Sequence, residues 1–401
     1  MMQISFIIPS RNNLKYVQQA YKSIREANGY EHEVVLLDDA STDGTWDWMN
    51  DIKTTDQNVV IYRNEGPERV GHTILYDKGI ELSTKEVFSI LHADMIITPN
   101  YVSNLVKHLK RGTVVCATRV EPPLHPPGPE KHVKLFGTEP EEFEKEKFKQ
   151  FVVEEEERSK DKTTKGIFAP WCMYKADFIG HDPLFAPMEL EDSDIFNRFF
   201  LNGYDLIQSR DALVYHMTCR GSRFKDGLEI EKEIPLPDGT IWYKPKDSEE
   251  YIKLRQIKFR EWYRKWHQDV LHDDLMLPIV KPVLNVGIVA KNCNINALAF
   301  LEQWCDIIYV DCDYNSYVAV EQQNTNFNLS ERIKSIEHNV NNDVVVELDC
   351  NKITQEDVKI ITNLGEIVSE NNDIGKFSVE NLIITVNKIN DKSKDLIFIN
   401  R

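Results

Sequence analysis

Short apolar runs alternate with helical patterns through the first hundred residues, and this alternation constrains the fold more than any other feature. Each run has the length and the apolar content of a buried strand. Four runs are predicted strands: 4–8, 33–37, 59–62 and 86–91. Between them, apolar residues recur at helical spacing, and the connecting loops are short. Strands joined through helices lie parallel, so we predict an α/β domain on a largely parallel sheet.

The pattern changes after Val120. Residues 121–130 are rich in proline and predict a stiff, irregular loop. Residues 139–161 mix acidic residues and lysines with a few phenylalanines, which is typical of a charged surface helix. A mobile lid over a binding site is the alternative interpretation of this segment. Residues 166–224 then return to a folded pattern.

A second change separates the C-terminal part. Residues 248–268 are predicted to be helical, and a stretch punctuated by prolines, 277–284, is the predicted linker. Beyond it, five apolar runs predict a smaller α/β domain: 286–290, 306–310, 344–348, 382–386 and 396–399. We therefore expect an N-terminal domain (1–225), a helical extension and linker (226–283) and a C-terminal α/β domain of unknown role (284–401).

Charge and cysteine usage limit the possible partners and compartment. The net charge of −17 argues against a general affinity for nucleic acid, because phosphates need a basic face. The seven cysteines are scattered without a CxxC pair, which indicates free thiols in a reducing compartment. No apolar run approaches the roughly 20 residues of a membrane span, and no signal-peptide pattern opens the chain. We expect a cytoplasmic protein with no transmembrane segment, and nothing in the sequence indicates its oligomeric state.

Asp38 and Asp39 end one of the apolar runs and precede a predicted helix. A carboxylate at this position can accept a hydrogen bond from the ring N–H of a uracil or guanine base. The structural alternative is helix capping, which Ser41 or Asp43 could also do. The motif therefore predicts either a nucleotide contact or a cap.

His92 and Asp94 follow the fourth apolar run. Side chains two residues apart in a strand lie on the same face, so both could reach one ion. A divalent metal at this point would neutralise the charge of a diphosphate. The alternative is a polar loop at the end of a strand.

Two further groups complete the set of candidates. Glu191 and Asp192 precede the apolar face of a predicted helix, where a carboxylate is stabilised by the helix dipole. The functional alternative is a general base that deprotonates an acceptor hydroxyl. His216 ends a further apolar run and could be a metal ligand or a core histidine.

In their order along the chain, these motifs resemble the family 2 glycosyltransferases of the GT-A fold. The resemblance covers about residues 3–224, and its most specific part is the run Asp38-Asp39-Ala40-Ser41-Thr42-Asp43-Gly44-Thr45. The other matching elements are Phe6-Ile7-Ile8-Pro9-Ser10-Arg11-Asn12, Leu91-His92-Ala93-Asp94, Glu191-Asp192, Gly203-Tyr204 and Val214-Tyr215-His216. The fold that it implies is Rossmann-like, with a mixed and mostly parallel sheet.

The resemblance also implies a role for each matching residue. Pro9 and Arg11 would line the nucleotide pocket, and Asp39 would bind the base. Asp94 would be the metal-binding end of an Asp-Xaa-Asp-like motif. His216 would lie near the metal and the diphosphate, and His92 would be a further metal ligand.

The reaction that the resemblance implies is inverting transfer of a hexosyl group from a nucleotide sugar. Asp192 would be the catalytic base, with Glu191 beside it, and the cofactor would be Mn²⁺ or Mg²⁺. A UDP-sugar is favoured as the donor, with a GDP-sugar possible. The acceptor would be a hydroxyl of a glycan, a protein or a small molecule.

Two departures from the family pattern, and one feature of the first loop, bear on the alternatives. Histidine replaces the first carboxylate of the metal motif at His92, and it suits softer metals better. The Gln-Xaa-Xaa-Arg-Trp motif and the membrane helices of processive members are missing, which argues against a polymer synthase. The loop Pro9-Ser10-Arg11-Asn12-Asn13 contains no glycine, which disfavours a sugar-phosphate nucleotidyltransferase. A catalytically inactive glycan- or nucleotide-binding scaffold remains the alternative from another class.

Overall fold

The predicted apolar runs form the strands of a mixed sheet in the N-terminal part of the chain. The structure, a computed structural model, describes residues 2–28, 30–218, 223, 228–237 and 239–399. Ten strands make up this sheet: β1 (Ser5–Ser10), β2 (Glu33–Asp39), β3 (Val59–Asn64), β4 (Val87–Ile90), β5 (Met95–Ile97), β6 (Thr113–Glu121), β7 (Lys131–Val133), β8 (Thr163–Lys165), β9 (Trp171–Tyr174) and β10 (Asp205–His216). All four strands predicted in the first hundred residues are confirmed.

Helices connect these strands, as the spacing of apolar residues predicted. They are α1 (Leu14–Asn28), α2 (Thr45–Thr55), α3 (Gly71–Leu82), α4 (Tyr101–Val106), α5 (Lys145–Ser159) and α6 (Glu191–Leu201). Helix α7 (Glu249–Trp266) comes after the last strand of this sheet. Short 3-10 helices cover Pro140–Glu142, Lys175–Asp177 and Pro183–Phe185. A separate hairpin pairs β11 (Ile230–Pro235) with β12 (Ile241–Pro245).

The strand order brings three carboxyl ends together at one edge of the sheet. The order is β3-β2-β1-β4-β9-β6-β10-β5, with β7 beside β6 and β8 beside β10. Strands β3, β2, β1 and β4 are parallel, whereas β9 runs antiparallel to both β4 and β6. In open α/β sheets, ligands bind beyond the carboxyl ends of such parallel strands. The prediction of an α/β domain with a mixed, mostly parallel sheet is confirmed.

Helix α3 packs closely on the sheet because it carries Gly79. A Cβ at Gly79 would lie 2.4 Å from the Ile7 side chain and 2.9 Å from that of Leu37. Both of those side chains are fully buried. Burial of a side chain of this size contributes about 1.5–3 kcal/mol. The close contact fixes the position of α3 over β1 and β2.

Helix α5 confirms the predicted helix in the charged segment, and one of its faces is apolar. Phe148 and Val152 are buried, and the Phe148 ring lies 5.4 Å from the Tyr215 ring. The Tyr215 hydroxyl donates a hydrogen bond to the Gly137 carbonyl oxygen at 2.6 Å. The apolar face thus covers β10, and most of the acidic and lysine side chains lie outside, whereas Glu155 is buried.

The chain divides into two compact units. The N-terminal unit comprises Met1–Ile252 with His272–Pro278, and the C-terminal unit comprises Lys253–Leu271 with Ile279–Arg401. Of the predicted extension and linker (226–283), residues 253–271 and 279–283 belong to the C-terminal unit and the others to the N-terminal unit. No helix in the described residues is long and apolar enough to cross a bilayer.

The C-terminal unit has its own doubly wound sheet. Its strands are β13 (Val286–Lys291), β14 (Ile307–Val310), β15 (Ile333–Ser335), β16 (Val344–Asp349), β17 (Gly375–Val379) and β18 (Leu382–Val386), in the order β15-β14-β13-β16-β18-β17. The first four in this order are parallel. Its helices are α8 (Ile295–Leu301), α9 (Asn315–Glu321), α10 (Leu329–Arg332), α11 (Gln355–Thr362) and α12 (Leu364–Asn371), with 3-10 turns at Glu302–Trp304 and Gln322–Asn324.

One predicted strand of this unit is wrong. The run 396–399 is not a strand, because Ser393–Leu396 forms a 3-10 helix. The Asp391 carboxylate stabilises this turn by accepting hydrogen bonds from the backbone N–H and the hydroxyl of Ser393. Two short edge strands, β15 and β17, were not predicted.

Candidate active site

A cavity of about 260 Å³ opens at the carboxyl ends of β1, β2 and β4. Six of the predicted site residues line it: Pro9, Arg11, Asp39, His92, Asp94 and His216. Among the other lining residues are five with polar or charged side chains that the sequence did not single out: Arg69, His72, Tyr76, Arg223 and Tyr251. Glu191 and Asp192 do not line the cavity directly, although Glu191 contacts the lining residue His72.

Asp39 caps the start of helix α3 from the end of β2. Its Oδ1 accepts hydrogen bonds from the Asn64 side chain at 2.8 Å and the Val70 backbone N–H at 2.9 Å, and its Oδ2 accepts one from Gly71 N–H at 2.9 Å. A carboxylate oxygen has two lone pairs, so Oδ2 can accept one further bond. Asp39 can therefore cap α3 and still accept a hydrogen bond from a nucleotide base. The capped helix is α3, whereas Asp43 bonds to Leu14 and Thr45.

Gly71 allows α3 to begin where it does. Its φ is +82°, and a Cβ there would lie 1.9 Å from the Pro187 carbonyl oxygen. The Thr73 hydroxyl also lies 3.4 Å from that oxygen. These contacts hold the start of α3 against the loop that leads into helix α6.

Two arginines stand beside Asp39 at the cavity wall. Arg11 Nη1 donates a hydrogen bond to the Asp39 carbonyl oxygen at 2.5 Å. Arg69 contacts the Met188 sulfur at 3.5 Å. Burial lowers the pKa of Arg69, and Asp39 opposes that shift. Guanidinium groups suit phosphate oxygens because their N–H donors match the phosphate geometry.

His92, Asp94 and His216 converge at the other end of the cavity. One potential ligand atom from each of these residues lies within 4.8 Å of the other two. Among the described residues, these three side chains form the group that could hold a metal ion. The rings of His92 and His216 are 5.3 Å apart and nearly perpendicular. Burial and the nearby His216 lower the pKa of His92 to about 3, so its imidazole keeps a free lone pair. Two imidazoles and one carboxylate suit Mn²⁺ better than Mg²⁺.

Glu121 orients His216, and the sequence did not predict this role. The Nδ1 of His216 lies 2.8 Å from Glu121 Oε1, and its Nε2 lies 3.4 Å from Asp94 Oδ1. Burial alone would lower the pKa of His216, but Asp94 and Glu121 raise it to about 9. Burial would raise the pKa of Glu121, yet Arg119, His216 and Lys131 hold it well below its usual range. A carboxylate behind a metal-binding histidine is a common outer-shell arrangement.

Glu191, at the start of α6, is paired with His72 in the first turn of α3. His72 Nε2 lies 2.6 Å from Glu191 Oε1, and Glu191 is buried. Burial opposes charge on both groups, but their mutual attraction raises the pKa of His72 and lowers that of Glu191. Glu191 is therefore a carboxylate held by an imidazolium at the start of α6.

Asp192 has a different environment from its neighbour. Its carboxylate has no hydrogen-bond or ion-pair partner among the described residues. Burial and the charge of Glu191 raise its pKa to about 6. An unpaired carboxyl group with a pKa near neutrality can accept a proton efficiently at physiological pH.

Tyr76 lies between the two ends of this arrangement, and the sequence did not point to it. Its ring is 5.5 Å from the His72 ring and 5.6 Å from the His181 ring. Burial raises the pKa of its phenol, and so do the charges of Asp192 and Asp94. One buried hydroxyl at the cavity wall is thus near both the base candidate and the metal triad.

The turn that leads into α6 has a strained backbone, and Tyr251 forms a hydrogen bond with it. Glu189 and Leu190 have φ values of +82° and +66°, a conformation that favours glycine. The Tyr251 hydroxyl donates a hydrogen bond to Glu189, and the Arg223 guanidinium lies 5.2 Å from the centre of the Tyr251 ring. Strain of this kind persists where surrounding contacts determine the conformation.

Comparison with known proteins places the first part of the chain in context. The family model described as Glycosyl transferase family 2 matches residues 5–174. The match runs from β1 through β9, and so it includes Asp39, His92 and Asp94 but ends before Glu191. A dolichol-phosphate mannosyltransferase of Pyrococcus furiosus is 26% identical over 113 residues, which are 28% of this chain and 31% of that protein. The chain therefore matches about a third of the length of this curated relative.

Solved structures of glycosyltransferases also align with just over half of the chain. A mannosyltransferase from Pyrobaculum calidifontis in complex with GDP-Man and Mn²⁺ is 20% identical, with a TM-score of 0.38, over 54% of this chain and 57% of that one. GalNAc-T7 with UDP, GalNAc and Mn²⁺ is 15% identical, with a TM-score of 0.41, over 54% of this chain and 44% of that one.

Proposed function

Since residues 5–174 are a glycosyl transferase family 2 domain, we propose that the N-terminal unit is an inverting glycosyltransferase that uses a nucleotide sugar. The observation that carries the proposal is the single cavity that joins Asp39, the metal triad and His72. The end at Asp39 would take the nucleobase, and the end at the metal triad would take the diphosphate. The free acceptor capacity of Asp39 Oδ2 suits the ring N–H of uracil, so a UDP-sugar is the favoured donor, and guanine offers a similar N–H.

His92, Asp94 and His216 would hold a divalent metal, with Mn²⁺ the best fit to the donor set. The test of this fit is their spacing within 4.8 Å, together with the neutral His92 and the Glu121 partner of His216. When bound, such an ion neutralises the charge of a leaving diphosphate. Arg11 and Arg69 would bind the nucleotide phosphates beside it.

Asp192 would be the general base. Its carboxylate accepts the proton of the acceptor hydroxyl as that oxygen forms a bond to the anomeric carbon. The bond between the anomeric carbon and the diphosphate breaks, and its electron pair leaves with the diphosphate, so the configuration inverts. The pair His72–Glu191 holds the start of α6, and Glu191 raises the basicity of Asp192 through its charge.

A second candidate is a nucleotide-sugar-binding module without transferase activity. The observation that favours it is that Asp192 does not line the cavity. In this case Asp39, the arginines and the metal triad would bind the donor, and no side chain would act as a base.

The two candidates differ in turnover. The full chain is incubated with UDP- and GDP-sugars and Mn²⁺, and the melting temperature and the release of nucleoside diphosphate are measured. A bound donor raises the melting temperature because it binds only the folded state. We expect Asp192→Asn to keep this increase and to lose about 10²–10⁴-fold in turnover. Asp51→Asn, an exposed carboxylate on α2, is the matched control and should behave like the wild type.

Each contrary result has a distinct meaning. If no donor raises the melting temperature, the nucleotide-sugar proposal is wrong. Donor binding without any turnover by the wild type would favour the binding module. Full turnover by Asp192→Asn would leave the transferase proposal in place and refute the assignment of the base.

A further inference from the structure

Three cysteines of the C-terminal unit follow the ends of three neighbouring parallel strands. Cys293 lies two residues after β13, Cys312 two residues after β14, and Cys350 directly after β16. Strand β13 pairs with both β14 and β16. Because the carboxyl ends of parallel strands meet at one edge, residues separated by more than fifty positions are brought to the same crevice.

Hydrogen bonds fasten the three loops to one another. The Asp311 carboxylate accepts the backbone N–H groups of Asn292 at 2.7 Å and Cys293 at 2.9 Å. The Asn292 side chain donates to Asp349 Oδ1 at 2.9 Å. The Cys350 N–H donates to the Lys291 carbonyl oxygen at 2.9 Å. Each cysteine is thus next to a residue that bonds to another of the three loops.

The Cys293 side chain is near enough to those of Cys350 and Cys312 to interact with both. Cys293 is buried, and its thiol interacts with those of both Cys350 and Cys312, which are half-buried. The Cys293 S–H donates to the Asn294 carbonyl oxygen at 3.5 Å. The interaction between the Cys293 and Cys350 side chains raises the pKa of Cys293 and lowers that of Cys350. Cys350 is therefore the thiol that more readily forms a thiolate, which is the reactive form.

The arrangement suits a covalent pair better than a shared metal ion. In the described residues, the group of three ligand atoms within 4.8 Å of one another is the histidine and aspartate triad of the other unit. The sulfurs of Cys293, Cys312 and Cys350 do not meet that spacing, although Cys293 interacts with each of the other two. We propose that this crevice is a thiol oxidation site in which Cys350 and Cys293 form a disulfide on exposure to a peroxide, with Cys312 as a third thiol that can exchange with it.

The chemistry balances with a peroxide as the oxidant. The Cys350 thiolate attacks one peroxide oxygen, the O–O bond breaks, and the products are the sulfenic acid of Cys350 and, for hydrogen peroxide, hydroxide. The Cys293 thiolate, formed as its proton passes to water, then attacks the Cys350 sulfur. The S–S bond forms, the S–O bond breaks, and hydroxide leaves to take up a proton. Cys312 can later attack this disulfide and displace one of its sulfurs as a thiolate.

The test is peptide mapping of the full chain after treatment with hydrogen peroxide. We expect two of the seven thiols to be lost and a cross-linked peptide that joins Cys293 to Cys350. Cys305, fully buried in the same unit, is an internal control that should remain reduced. Dithiothreitol should restore both thiols.

Variants distinguish this site from general oxidation. Cys312→Ser should keep the cross-link between Cys293 and Cys350, whereas Cys350→Ser and Cys293→Ser should each abolish it, with circular dichroism confirming that all three are folded. The proposal is wrong if the wild type keeps all its thiols or oxidises only to sulfonic acids. A disulfide made through other cysteines would also overturn it, including one through Cys219, which lies outside the described residues.

Discussion

His72 Nε2 lies 2.6 Å from Glu191 Oε1, and this contact joins the first turn of helix α3 to the first turn of helix α6. Residue 72 also lines the cavity, and the turn that it bonds to carries Asp192. The His72 imidazole therefore connects the wall of this cavity to the turn that carries the proposed catalytic base, Asp192.

Removal of this imidazole should destabilise the N-terminal unit. His72→Ala leaves the buried Glu191 without its partner, and an unpaired buried carboxylate is costly. We expect the free energy of unfolding in urea to fall by about 1–3 kcal/mol at neutral pH. The double variant His72→Ala with Glu191→Gln should recover part of that loss, because the orphaned charge is gone. Equal stability of wild type and His72→Ala would contradict the pairing.

Because the pKa of Asp192 is raised, we expect the pH profile of turnover to have an acid limb, a decline of the rate at low pH. A base must be unprotonated, so transfer should decline as the pH falls through about 6. Because the folded-state pKa lies above the usual value for aspartate, the same group favours folding at low pH and loses that contribution as the pH rises from about 4 to 6. A pH profile of turnover checks the first sign, and denaturation at several pH values checks the second.

The control for this profile is Glu191→Gln. It removes the neighbouring negative charge, which should move the acid limb to lower pH. If the limb stays at the same pH in this variant, the charge of Glu191 does not set the pKa of Asp192.

Glu121→Gln should weaken the metal site without touching a proposed ligand. The carboxylate behind His216 orients its ring, and loss of such an outer partner typically costs about 10–100-fold in metal affinity. Calorimetric titration with Mn²⁺ measures the change. Glu130→Gln is the matched control, because Glu130 also pairs with Arg119 but does not contact His216. Equal losses in both variants would assign the effect to general destabilisation.

Gly71→Ala should be much more destabilising than Gly203→Ala. Both glycines have positive φ, +82° and +77°, so both variants incur backbone strain. A Cβ at residue 71 additionally meets the Pro187 backbone at 1.9 Å, whereas none of the neighbouring atoms lies within 4 Å of one at residue 203. We expect about 1–3 kcal/mol more loss at residue 71, measured by chemical denaturation. Similar losses at both positions would mean that this contact is not tight.

The sequence could predict the parts of the site that lie at or near the end of a strand. Asp39 ends the strand β2, and Asp94 lies four residues after the strand β4. Parallel strands bring such ends to one edge whatever the loops do. Glu121 and His72 could not be found in this way, because their partners are 95 and 119 residues away along the chain. Nothing local marks a carboxylate that supports a distant histidine.

The same distinction explains the fold. Buried strands such as β1 have an apolar pattern that the sequence displays, whereas β17 is an exposed edge strand whose residues pair only with β18. The apolar residues at 396–399 match a strand pattern, but Asp391 directs the chain into a 3-10 turn. Local hydrogen bonds outweighed the run of apolar residues there.

Helix α3 begins at the carboxylate that is proposed to bind the base and carries both His72 and Tyr76. A ligand that forms a hydrogen bond with Asp39 therefore acts on the cap of α3. His72 of that same helix contacts Glu191 at the start of α6. If Asp39 binds the donor and Asp192 is the base, as we propose, then donor binding and the position of the base are thermodynamically linked, and such a linkage is reciprocal. An acceptor that binds next to Asp192 should slow the dissociation of the donor. Helix α3 would thus couple the two binding steps and favour one order of binding.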